Sequence, residues 1–163
     1  MDGPTFERFL REHAAAVRAL AISVLSNPAD ADDVAQETAL TALQHRGALS
    51  ADLNPRAWLL RIALNKARDL IRRRRVRAAT SAGLDAAPAP PSPDPDVEAA
   101  RRIIRSMPSR YRAVLHLAYY EELPYRDIAA AMGLSLSGVK MMILRGRRMI
   151  RAAMKRNEPH EVR

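Results

Sequence analysis

"YRDIAAAMGLSLSGVKMMILRGRR", Tyr125 to Arg148, sets Ala129 four residues before Gly133 and Val139 six residues after it. This is the spacing of a helix-turn-helix. The small Ala129 lets two helices approach, Gly133 takes the left-handed conformation that ends the first, and Val139 locks the second across it. Ser135 or Ser137 can cap that second helix. Turned at about 100° per residue, it carries Val139, Met142, Ile143, Gly146, Met149 and Ile150 on one side. Lys140, Met141, Leu144, Arg145, Arg147, Arg148 and Arg151 fall on the other. The longer stretch Val139 to Arg156 holds no acidic residue. An amphipathic basic helix suits a membrane surface or the major groove of DNA, and the motif directly upstream favours DNA.

Outward from this motif every periodic segment reads helical. Phe6, Leu10, His13, Val17, Leu20 and Val24 recur at steps of three and four, as one buried stripe requires, with His13 expected as a boundary core residue. Asn27 before Pro28 fits a cap with proline at the first helical position, opening a second helix to about Gln44. A third is expected over Pro55–Arg77, with shorter ones near Val97–Ser106, Ser109–Glu121, Tyr125–Met132 and Ser137–Lys155. No alternating strand pattern occurs. Between Thr80 and Val97 lie five prolines among small residues, a composition with nothing to bury. The class expected is all-α: two small helical domains, 1–79 and 98–157, joined by a Pro-rich linker, 80–97, with a tail, 158–163.

The chain has 163 residues and a formal charge of +9, which points to polyanionic partners. With no cysteine, disulfides and thiol chemistry are excluded. His13, His45, His116 and His160 have no ligand spacing and no glycine-rich phosphate loop exists, so no metal, cofactor or catalytic residue is expected. No run of 18 apolar residues and no signal peptide is present, so a soluble cytoplasmic protein without membrane insertion is expected.

Two further faces carry chemistry. On the second helix Val34, Ala35, Thr38, Ala39, Ala42 and Leu43 form an apolar half, against Asp33, Gln36, Glu37, Leu40 and Thr41 on the other. That second half is either a solvated acidic face or a docking surface with Leu40 as its apolar spot. The third helix buries Leu59, Leu60, Ile62, Ala63, Leu64, Ala67, Leu70 and Ile71. Its remaining arc holds Trp58, Arg61, Asn65, Arg68, Asp69 and Arg72, and Arg73 continues the run "RRRRVR". Guanidiniums for phosphates and an amide for a base edge suit single-stranded nucleic acid. Trp58 serves equally as the core's only indole.

The motifs together resemble those of the extracytoplasmic-function sigma factors, the small two-domain bacterial sigma factors. "ADADDVAQETAL" is similar to the family's second-region docking motif, which implies that Asp33, Gln36 and Glu37 bind core RNA polymerase at its beta-prime clamp helices. "RAWLLRIALNKARDLIRRRRV" resembles the minus-ten reader, with Arg61, Asn65 and the basic residues after them facing a flipped non-template base. The segment from Met107 to Arg148 resembles the fourth region. The resemblance implies that Lys140, Met141, Leu144 and Arg145, with Arg148 beside them, enter the minus-thirty-five groove, that the polymerase's beta flap is a further contact, and that an anti-sigma factor is a partner. The chain departs from the family at Ser137-Gly138, Met141-Met142, Ala39 and Pro124. With Trp58 the only large aromatic near the melting region, base capture is expected to dominate melting. The alternatives are a stand-alone helix-turn-helix regulator, whose first domain merely dimerises, and an RNA-binding module built on the arginine run.

Overall fold

The computed structural model describes residues 3–49, 54–80 and 94–157. Helix α1 (Gly3–Leu25) buries Phe6, Val17, Leu20 and Val24. His13 is half-buried at the edge of this stripe, its Nδ1 donating to the Phe9 carbonyl at 3.0 Å. The chain reverses through Ser26, whose φ of 57° is left-handed. The extended Asn27 then accepts the Asp30 amide through its side chain at 3.2 Å, and Pro28 opens α2 (Pro28–Gln44). A short 3-10 turn, Arg46–Ala48, comes next. At the start of α3 (Pro55–Thr80), the Asn54 side-chain oxygen accepts the amides of Arg56 and Ala57 at 3.1 and 3.3 Å. Helix α3 passes the expected end at Arg77, since Ala78 and Ala79 favour helix.

Asp94 accepts the amides of Asp96 and Val97, and Pro95 opens α4 (Pro95–Ser106), two residues before the expected start at Val97. The body of the expected linker, 81–93, and the tail, 158–163, lie outside the described residues. Helix α5 (Ser109–Leu115) does not run on as a regular helix to Glu121: His116–Tyr120 widens into a π-helical turn, with the Glu121 amide donating to the His116 carbonyl at 3.0 Å. The widened turn shifts the register of the residues after it, and Glu121 ends in the interior rather than on the surface.

The helix-turn-helix forms as its spacing requires. Helix α6 (Tyr125–Met132) ends at Gly133, whose φ is 67°, and the amides of Gly133 and Leu134 both donate to the Ala129 carbonyl. Of the two candidate caps Ser135 acts, its Oγ accepting the Gly138 amide at 3.0 Å, so α7 (Leu136–Asn157) starts one residue before Ser137. Ile128 and Val139 are fully buried against each other's helices. A Cβ on Gly146 would meet Leu115 Cδ1 at 3.0 Å, so α7 lies close against α5 there.

The helices form the two expected sets, α1–α3 and α4–α7, and these sets touch. Helix α1 packs on α5 and α3 packs on α6. Buried residues run without a break from Phe6, Leu20 and Leu60 to Val114, Leu117, Ile128 and Val139. Nothing in the sequence pattern foretold that seam.

Candidate nucleic-acid interface

Helix α7 separates its two faces as the wheel requires. Val139, Ile143 and Gly146 are buried, Met142, Met149 and Ile150 half-buried. Lys140, Met141, Leu144, Arg145 and Arg148 are all exposed, as are Arg147 and Arg151. Met141 and Leu144 stand 46% and 41% exposed beside these cations, so the face offers apolar contact as well as charge.

On α3 the arc is less uniform. Arg61 and Asn65 are exposed, whereas Arg68 is half-buried and desolvation lowers its pKa from the ordinary arginine value. Trp58 packs edge-on to Phe6, ring centroids 6.3 Å apart, and belongs partly to the core. The arginine run is divided in role. Arg72 pairs with Asp69 at 3.0 Å, and Arg74 reaches across to Asp30 at 2.5 Å, fastening α3 to the start of α2. Arg73 and Arg75 are exposed. The purely basic reading of "RRRR" therefore missed one structural arginine, because its partner lies 44 residues away.

The acidic face of α2 is divided in the same way. Asp32 is held by Arg18 through two contacts, 2.5 and 3.4 Å, and the hydrogen bond from that guanidinium lowers the Asp32 carboxyl below the usual carboxylate range. Glu37 sits 3.6 Å from Lys66 of α3. Asp33 and Gln36 are exposed, with Leu40 61% exposed beside them.

The polar residues that sequence reasoning did not single out gather on the seam. Arg112 of α5 donates to the carbonyls of Ser23 and Val24 at 2.7 and 2.5 Å, groups left without intrahelical partners at the end of α1. Burial lowers its pKa from the ordinary arginine value. Arg56 of α3 binds the Glu121 carboxylate with one guanidinium nitrogen and donates to its backbone carbonyl with another, at 3.0 Å. The second carboxylate oxygen of Glu121 accepts from His116 Nε2 at 3.2 Å. Asn54 Nδ2 donates to Asp127 of α6 at 2.7 Å. No periodicity marks these residues, since every pairing except that of His116 with Glu121 joins distant segments.

Burial holds the His116 imidazole below its usual pKa, against the opposing pull of Glu121. A histidine kept neutral by the fold contributes stability that is fully present above its unfolded pKa, about 6.5, and lost as pH falls below it. Thermal melts are therefore expected to weaken from pH 6.5 downward. His116→Gln, which retains a donor for Glu121, should remove part of that dependence; an unchanged slope would exclude His116 as its source.

No single helix among the described residues is long and apolar enough to cross a membrane. The Sigma-70 region 2 family model matches residues 9–77 and the Sigma-70, region 4 model residues 98–150. The chain is 34% identical over 137 residues to the ECF RNA polymerase sigma factor SigL of Mycobacterium tuberculosis, covering 79% of this chain and 77% of that relative. It is 32% identical over 163 residues to the ECF RNA polymerase sigma factor SigE of Mycolicibacterium smegmatis, covering 91% of this chain but only 61% of that relative's length. The solved structure of the sigma factor RpoE from Bartonella quintana, in complex with the anti-sigma factor NepR, superposes with a TM-score of 0.82 at 23% identity, over 95% of this chain and 99% of that one, a likeness of fold. The chain belongs to the extracytoplasmic-function sigma factors. Proteins of this family are DNA-binding transcription initiation factors and not enzymes.

Proposed function

We propose that this chain binds core RNA polymerase and directs it to promoters by reading two DNA elements. Residues 1–79 dock through Asp33, Gln36 and Glu37 on the beta-prime clamp helices. The arc of Trp58, Arg61, Asn65, Arg68, Arg72 and Arg73 takes up the minus-ten non-template strand. Residues 98–157 lay Lys140, Met141, Leu144, Arg145 and Arg148 in the minus-thirty-five major groove and meet the beta flap. The observation that carries this reading is the exposed cationic face of α7, backed by a helix-turn-helix joint that turns at Gly133 and buries Val139, in one chain with a second cationic arc on α3. By likeness to RpoE, which is held by an anti-sigma factor, a protein of that kind is an expected partner.

Run-off transcription with bacterial core polymerase tests the reading. Specific starts that depend on the added chain are expected, while tight operator binding without polymerase and no transcript would instead fit a stand-alone regulator. Met141 sharpens the test. Its thioether can pack on a thymine methyl but donates no hydrogen bond. Met141→Arg is expected to shift preference toward guanine at the facing position by about tenfold without altering the melting temperature. An identical preference across a randomised upstream element would refute that role.

A further inference from the structure

We infer that Asp30, acting through Arg74, is a positioning residue of the minus-ten reader: its carboxylate turns the end of α3 so that Asn65 and Arg72 face the strand. This rests on the minus-ten reading above. Arg74 Nη2 donates to Asp30 Oδ1 at 2.5 Å, although the two lie 44 residues apart. Asp30 is buried at the start of α2, and its other carboxylate oxygen, buried as well, has no hydrogen-bond partner. Arg74 is thus the cation that holds this carboxylate.

The arginine run lies where apolar packing has ended. Ala63 and Ala67 are buried and Ile71 half-buried along one stripe of α3, but residues 72–77 are all exposed. At about 100° per residue, Arg74 falls within roughly 60° of Ala63, Ala67 and Ile71, so it carries their stripe on beyond the core. Asn65 lies roughly 180° and Arg72 roughly 160° around the helix from Arg74. With Arg74 turned to α2, both point away from α2. Lys66 sets a second rung, 3.6 Å from Glu37. From Lys66 to Arg74 is about 12 Å of helix and from Glu37 back to Asp30 about 10.5 Å, so the two rungs join antiparallel helices in register. Glu37 is exposed, and a pair of that kind holds weakly. Asp30 is buried, and a buried carboxylate parted from its cation is costly, so the Asp30 rung is the one that fixes the turn of α3.

The sign of an Asp30 substitution separates positioning from plain electrostatics. Removing an acid beside a cationic arc tightens nucleic-acid binding by charge alone; positioning requires the opposite. Holoenzyme assembled from core polymerase and the full chain is titrated with a minus-ten non-template oligonucleotide, at a temperature where circular dichroism shows each variant folded. Asp30→Asn and Arg74→Met are each expected to weaken binding about fivefold, the effect of a productive arrangement populated about one time in five. The double variant leaves no unpaired charge and guards against misfolding. It should bind no more weakly than either single variant, because both remove the same clasp. Affinities for core polymerase and for minus-thirty-five duplex stay at wild type. Tighter or unchanged binding by Asp30→Asn overturns the inference, as does weakening by Arg74→Met alone, which makes Arg74 a direct phosphate contact. So does a lower melting temperature with normal affinity in the folded variants, the mark of a purely structural clasp. Failure of the underlying reading looks different: wild-type holoenzyme then binds the oligonucleotide no better than a scrambled one, and no variant changes this.

Discussion

Asn65→Ala is expected to lower open-complex formation by about 2 kcal/mol, roughly thirtyfold, and to leave the melting temperature unchanged. Asn65 is exposed on α3, one turn beyond Arg61, and touches no part of the core. Its amide carries both a donor and an acceptor, which a base edge can use together. Trp58→Ala should give the opposite pattern. The indole is half-buried and packs edge-on to Phe6, so its removal is expected to destabilise the chain by about 2 kcal/mol while opening persists at temperatures where the variant is folded. Permanganate footprinting reads the opening and calorimetry the stability. Normal opening by Asn65→Ala, with none by folded Trp58→Ala, would show that a stacked ring rather than base capture drives melting.

Val139→Asp should have the largest effect on stability. Val139 is fully buried where α7 crosses α6, and an unpaired carboxylate there costs about 3–5 kcal/mol, a large share of the about 5–15 kcal/mol that holds a typical domain. Urea titration is expected to show a much lower midpoint, with loss of duplex binding by α7. Gly133→Ala provides the scale. No atom lies within 4 Å of a Cβ at Gly133, so the cost is the left-handed backbone alone, about 1 kcal/mol. Equal losses from the two substitutions would mean that the joint is not packed as described.

The helix-turn-helix was legible because each of its requirements is local. Ala129, Gly133 and Val139 sit within one turn-helix unit, and the inward and outward residues of α7 follow from a period of about 3.6 residues. The stripe on α1 and the buried side of α3 were legible for the same reason. The π-helical turn at His116–Tyr120 was not, since apolar residues continue through it and only the inward placement of Glu121 shows the change of register. Charge counting gave the arc on α3 its sign but not its division of labour. It could not show that Arg74 fastens to Asp30, that Asp32 is already held by Arg18, or that Asp33 remains exposed on the outer face of α2.

From sequence alone came the all-α class, two helical units, the helix-turn-helix joint and the family. All of these rest on contacts three to six residues apart, which a pattern of residue types records directly. Only the tertiary structure decided how the two units meet. Arg56 pairs with Glu121 at a separation of 65 residues and Arg112 with Ser23 at 89. A pairing across such distances leaves no period in the chain, because it depends on where whole helices pack. Whether an exposed-looking arginine reads DNA or closes a seam is set by that packing, and at Arg56 and Arg112 it closes the seam.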